Sequence, residues 1–257
     1  MHLPRVRGRT DVCGCFPTGR HYPGIADLIA DAIQNVEGLC REFEPGASWE
    51  DIPITVIDFE TTGRDAKTDR VIEIGLVTFE KGRVSSKESW LVNPGMPVPE
   101  ESRAVHGITD EELEGAPNFA TLMPRLLERL QGKLPAAYNA TFDRGFLLAE
   151  IARAVPKGMT PGDMPPAARD EVVWVDPLVW ARELLKELKN RRLADVAKHL
   201  GIPLVQAHRA AGDAEATGRI LLALAPQLPR IYGELVRLQK RYAAFQEAEL
   251  AAWKRFR

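Results

Sequence analysis

The stretch Val56-Ile57-Asp58-Phe59-Glu60-Thr61-Thr62-Gly63 sets two acids into a run that otherwise reads as a buried strand. β-Branched and aromatic residues dominate ITVIDFE over 54–60, the composition of a strand. Successive strand side chains point to opposite faces, so Asp58 and Glu60 share one face while Phe59 takes the other. Two carboxylates about 6 to 7 Å apart along a strand repel, raise one another's pKa, or require a cation between them. Thr61, Thr62 and Gly63 end the strand and put the pair at the open rim of the sheet. A bare D-x-E is more often a solvated strand end than a site, so its weight depends on the rest of the chain.

Around this stretch the pattern is strand-rich and then alternating. RVIEIGLVTFE (70–80) and GRVSSKESWLVNP (82–94) follow as two more strands joined by short turns, an antiparallel meander. Beyond 109, the spacing predicts a helix over 118–131, a strand LPAAYN, a helix over 142–155, a strand VVWVD at 172–176, and helices over 177–187, 193–200 and 210–224. Three strands and then α-β-α-β-α imply an α/β fold, one mixed five-stranded sheet with helices on its faces. The proline-rich segment 156–170 reads as an insertion. Before the strands, GIADLIADAIQNVEGLCREF spaces Ile25, Leu28, Ile29, Ile33 and Val36 as an amphipathic helix. The organisation expected is an extension over 1–50, a main domain over 51–225, and a C-terminal helical extension over 226–257.

Composition narrows the function classes. At 257 residues and 45% hydrophobic content the chain supports one substantial core. No apolar run of membrane-spanning length occurs and no secretory signal pattern opens the chain, so a cytoplasmic protein is expected. Cys13, Cys15 and Cys40 are an odd count that does not suggest a disulfide framework. Cys13-Gly-Cys15 with His21 and Cys40 matches none of the usual zinc spacings. A net charge of −2 gives no global basic signature, so nucleic-acid contact would need a local basic surface or bound cations.

Two further motifs carry chemistry. Tyr138-Asn139-Ala140-Thr141-Phe142-Asp143 sits at a strand-to-helix junction, where Asn139 could cap the helix and Asp143 lies in its first turn. His208-Arg209-Ala210-Ala211-Gly212-Asp213-Ala214 opens the last main-domain helix. D-x-E, N-x-x-F-D and H-R-A-x-x-D-A, in this order, resemble the DEDD exonuclease superfamily in its His-containing branch, which includes the proofreading epsilon subunit of bacterial DNA polymerase III and RNase T. The resemblance runs from about 54 to 224 and takes in LVNPGMPVPEESRAVHGITDEEL (91–113) and LADVAKHLGIPL (193–204). The fold it implies is the ribonuclease H-like one.

By this resemblance Asp58, Glu60, Asp143 and Asp213 hold two divalent cations, Mg²⁺ or Mn²⁺, with Asp58 as the expected bridge. Two such ions stabilise charge on the attacking and leaving oxygens of an in-line displacement, and carboxylates are the matching hard ligands. His208 takes the general-base role, since an imidazole ordinarily titrates near neutral pH; the sister branch has Tyr one position later, where this chain has Arg209. Thr61, Thr62, His106 and Asn139 are placed by the same resemblance around the 3′-terminal nucleotide. The activity implied is 3′-to-5′ exonucleolysis releasing nucleoside 5′-monophosphates, on single-stranded DNA ahead of RNA. The alternatives are RNA 3′-end trimming and a subunit that docks on a DNA polymerase with nuclease activity secondary. A monomer ranks slightly ahead of a homodimer.

Other features read as structural. Asp176 before Pro177 has the pattern of a helix N-cap. The Lys-Glu run at 186–192 reads as a solvated helix face. The final segment, with Trp253, Lys254, Arg255 and Arg257, reads as an amphipathic helix packed on the domain ahead of a nucleic-acid or partner contact.

Overall fold

The computed structural model describes residues 37–154, 164–204 and 208–255. Its centre is a sheet of β1 (Ile54–Thr61), β2 (Val71–Glu80), β3 (Arg83–Leu91) and β4 (Leu134–Ala136) in the order β3-β2-β1-β4. The first three strands form the expected antiparallel meander, and β4 joins β1 in parallel. The strand expected at 172–176 is reduced to one bridge. The Val175 N–H donates to the Pro135 carbonyl (2.9 Å), and the Ala137 N–H donates to the Val175 carbonyl (3.1 Å). Proline has no N–H to return to such a ladder. Pro177 already opens a helix two residues later.

The helices are α1 (Glu100–His106), α2 (Asp110–Leu113), α3 (Phe119–Leu130), α4 (Ala140–Ala154), α5 (Pro177–Leu184), α6 (Leu193–His199), α7 (Ala210–Leu224) and α8 (Tyr232–Arg255). Strand alternation sorts the core into two layers. Ile54, Val56, Val77 and Phe79 meet α5, α6, α7 and the start of α8 on one face. Ile57, Phe59, Ile74 and Leu76 meet α3 and α4 on the other.

Three sequence expectations shift here. The helix expected to 187 ends at Leu184, and 185–192 is a turn-rich loop, so the Lys-Glu run is no helix face. Of the helix expected near 24–43, residues up to 36 lie outside the described residues, as do Cys13, Cys15 and His21. Residues 37–43 are turns and coil in which Gly38 adopts φ +99°, a conformation closed to most side chains. Cys40 is a free, buried thiol, pushed up to about 12 by burial and by its hydrogen bond to Glu42. Among the described residues no helix is long and apolar enough to cross a membrane.

Candidate active site

On β1 the apolar face that begins with Ile54 and Val56 continues into Asp58 and Glu60. β4 pairs with β1 only as far as Val56, so past that point this edge of β1 is open. The exposed edge is filled by α4. The Phe59 N–H donates to Asp143 Oδ1 (3.0 Å), which fixes a carboxylate only 3% exposed beside the β1 acids. An unpaired buried N–H costs about as much as a lost hydrogen bond, so the contact gives Asp143 a structural reason for its place.

α7 delivers the fourth acid from the other layer. Gly75 lies opposite Asp58 in the β1–β2 register. A methyl at that position would sit 2.2 Å from the Ala210 carbonyl carbon and 2.5 Å from the Ala211 nitrogen. Midway along the same helix, a methyl on Gly218 would lie 2.0 Å from the Phe79 ring. The two glycines let α7 lie close on β2. As a result carboxylate oxygens of Asp58, Glu60 and Asp213 come within 4.8 Å of one another.

The charges are unbalanced. Burial first, then Asp143, Asp213 and Glu60, push Asp58 well above the usual carboxylate range. Burial raises Asp143 despite the Phe59 N–H, and it raises Asp213 against the opposing pull of His208. Burial and the facing acids Asp213 and Glu73 push Glu60 up to about 8, although Arg209 draws it down. Asp213 Oδ1 is buried without a hydrogen-bond partner. Clustered hard oxygens that raise one another's pKa and leave one lone pair unsatisfied fit a divalent cation.

His208 lies exposed on the turn before α7, at φ +62°. The left-handed region is one that His visits more readily than most residues. His106 is buried; its Nδ1 accepts from the Ile108 N–H (3.1 Å), and its ring also interacts with the Thr61 backbone. Burial lowers its pKa, against a pull from Glu73. The hydroxyls of Thr61 and Thr62 are engaged within their own loop, Thr61 donating to the Gly63 carbonyl (2.5 Å) and Thr62 accepting from the Arg70 N–H (2.9 Å). Asn139 stands at φ +66° just before α4, and the capping expected of it belongs to Asp176. The Asp176 carboxylate accepts from the N–H groups of Asn139 (3.0 Å), Ala140 (3.0 Å) and Leu178 (2.9 Å), closing the starts of α4 and α5 together.

Glu73 was missed by the sequence reading. It faces Glu60 across the β1–β2 ladder and is 1% exposed. Its carboxylate accepts from the Arg209 guanidinium (3.0 to 3.3 Å), the Ala210 N–H (3.1 Å) and the Ser89 hydroxyl (2.6 Å). Burial alone would raise its pKa, but these bonds hold it below the usual carboxylate range. Glu73 thus anchors the turn that carries His208. An acid inside the apolar run VIEIG was the available signal, the same anomaly that singled out Asp58.

The Exonuclease family profile matches residues 55–221, which span every one of these side chains. The chain belongs to the exonuclease family. Within it this exonuclease is a DEDD-type, DnaQ-like member. It is 30% identical over 207 residues to the PolC-type DNA polymerase III of Thermotoga petrophila, an alignment covering 80% of this chain and 14% of that protein. It is 36% identical over 166 residues to the PolC-type enzyme of Clostridium perfringens, covering 65% and 11%. The chain thus spans about a seventh or less of these relatives. Among solved structures, E. coli exonuclease I in complex with a dA16 oligonucleotide superposes with a TM-score of 0.58 at 19% identity, over 70% of this chain and 42% of that one. Exonuclease X in complex with 5′-overhanging duplex DNA gives 0.53 at 21%, over 72% and 99%. A 3′-exonuclease recognising histone mRNA stem-loop gives 0.57 at 16%, over 73% and 68%. These likenesses establish a ribonuclease H-like fold.

Proposed function

We propose that the protein is a 3′-to-5′ exonuclease that hydrolyses single-stranded DNA to nucleoside 5′-monophosphates, with Asp58, Glu60, Asp143 and Asp213 holding two Mg²⁺ or Mn²⁺ ions. The observation that carries this reading is the convergence of the β1 and α7 carboxylates, Asp58, Glu60 and Asp213, within 4.8 Å of one another, with Asp213 Oδ1 unpartnered; Asp143 of α4 stands outside that group, held beside β1 by the Phe59 N–H. Bound there, the cations would stabilise negative charge building on the phosphoryl oxygens. The chain's own contribution is positional. The Phe59 N–H fixes Asp143, the glycine-lined α7 contact fixes Asp213, and Glu73 holds the turn from which exposed His208 takes the proton of the attacking water. His106 and Asn139 would lie around the terminal nucleotide, with Thr61 and Thr62 shaping the loop beside it.

DNA is favoured over RNA because the PolC-type relatives are DNA polymerases and two of the structural neighbours were solved with DNA. The neighbour described with histone mRNA supports RNA 3′-end trimming as the second reading. The relation to PolC-type polymerases supports a polymerase partner as a third.

The test is digestion of matched single-stranded DNA and RNA, labelled at either end, with Mg²⁺ or Mn²⁺, beside Asp58→Asn and His208→Ala. The expected result is a 3′-end ladder on DNA, lost with chelator and in both variants. Wild type inert on both polymers with both metals would overturn the reading.

A further inference from the structure

Next to the candidate site lies a groove of about 1170 Å³ between the 185–192 loop and the second half of α8. Its inner end is Tyr138 and Asn139, immediately before the helix whose first turn carries Asp143. One wall presents five cations, Arg182, Lys186, Lys189, Arg191 and Arg192, against two acids in the whole lining, Glu183 and Glu249. In a chain of net charge −2 this is a local basic surface. The loop bearing most of these charges is held in place: the Tyr138 hydroxyl donates to the Arg191 carbonyl (2.7 Å), and the Arg191 guanidinium donates to the Lys186 carbonyl (2.9 Å).

The other wall, on α8, sets large apolar side chains beside Gln246 and Glu249. Phe245, Leu250 and Trp253 are 61%, 48% and 52% exposed, three of the six large apolar side chains exposed among the described residues. On a helix rising about 1.5 Å per residue, Phe245 and Trp253 stand about 12 Å apart on one face. That is the length of roughly three stacked nucleotides at about 3.4 Å each. A row of cations facing aromatic side chains is the arrangement that binds single strands without regard to sequence, phosphates on the cations and bases on the rings.

We propose that this groove carries the single strand behind its 3′ end, so that the 185–192 loop and α8 form a binding track leading into the acid cluster. The inference rests on the nuclease reading above. It also reaches beyond it, because α8 lies outside the matched residues 55–221. A polyanion is the occupant argued for because five cations line the same groove as Asn139, the residue just before the α4 N-terminus that carries Asp143.

The experiment compares full-length wild type with Arg182→Gln/Lys186→Gln/Lys189→Gln and with Phe245→Ala/Trp253→Ala. Fluorescence anisotropy with (dT)20 and (dT)4 is followed across a salt series, with Ca²⁺ in place of Mg²⁺, beside digestion of (dT)20 in Mg²⁺. Wild type is expected to bind (dT)20 at least tenfold more tightly than (dT)4. Neutralising three cations should flatten the log-log salt dependence for (dT)20 by about 2, at about 0.7 per phosphate contact. Removing the two rings should cost (dT)20 about 30-fold or more, at about 1 kcal/mol or more per ring. Either change should erase most of the length advantage. If wild type digests DNA but binds both lengths equally, or if both variants keep the advantage and the slope, the track is overturned while the nuclease reading stands. The groove would then suit an acidic peptide. Wild type that neither digests nor binds overturns both.

Discussion

At the scale of single residues, the acids of the site oppose folding until something positive joins them. A raised carboxyl pKa means the folded state keeps a proton that the unfolded chain releases. For Glu60 the window runs from the ordinary 4.5 to about 8. Its protonated form is favoured by the fold, so stability is fully present below about pH 4.5 and is lost as pH rises toward 8. The metal-free melting temperature should therefore fall from pH 5 to 8, and Glu60→Gln should flatten that fall. Mg²⁺ or Mn²⁺ should raise the wild-type value more at pH 8 than at pH 5.5, because bound cations favour the charged forms. Differential scanning fluorimetry in chelator and in metal checks this; identical profiles for wild type and variant would sink it. His208 behaves differently, its side chain being exposed on the turn before α7. His208→Ala should lower kcat by about 10²- to 10⁴-fold and change stability by no more than about 0.5 kcal/mol, as read by steady-state digestion and thermal melts.

At the scale of elements, the site exists because α4 and α7 arrive at one rim from opposite faces of the sheet. Gly75 makes the α7 approach possible, so Gly75→Ala should push the helix start off β2. Activity should fall by about 10²-fold or more, since small misplacements of a reacting group are that costly. A larger KM alone, with kcat intact, would contradict the geometry. Glu73→Gln tests the same turn from the sheet. It keeps the shape but weakens the bonds to Arg209 and Ala210, and a positioning role predicts a lower kcat with little change in KM.

The sequence showed much of this. Alternation in VIDFETTG, the helix start after Asn139 and the His208 motif were each legible because local period and spacing carry them. The long-range pieces were not. Residues 172–176 look like a strand, but Pro135 on the neighbouring strand and the helix opened by Pro177 just after the segment leave room for one bridge only. The 186–192 run has helix-forming residues, but no apolar stripe to bind it to the core. Glu73 and Asp176 are anchors whose partners lie 136 and 36 to 37 residues away in the chain, a relation no local window contains.

At the scale of the whole molecule, the C-terminal helix is divided between core and surface. Its first turns are buried through Tyr232, Leu235, Val236 and Gln239. Tyr232 also ties the helix to the segment before β1: its hydroxyl accepts from the Cys40 N–H (2.9 Å), and its own N–H donates to the Ala47 carbonyl (2.9 Å). Gln239 makes the deeper link. Its Oε1 accepts from the Asp176 N–H (2.9 Å) and the Trp180 Nε1–H (3.1 Å), while its Nε2 donates to the Trp174 carbonyl (2.7 Å). Asp176 in turn closes the start of α4, which carries Asp143. Gln239→Leu would leave three buried polar groups unpaired at about 1 to 3 kcal/mol each, so a loss of several kcal/mol is expected in urea unfolding. In the distal half Gln246 still donates to the Val179 carbonyl (3.0 Å) and to Glu183 (2.8 Å), whereas Phe245 is largely exposed, so Phe245→Ala should leave the unfolding midpoint nearly unchanged. If both variants unfold alike, α8 is one structural unit and the division fails. If they separate as expected, the buried half supports the elements that carry the acids, and Phe245 can be altered without cost to the fold.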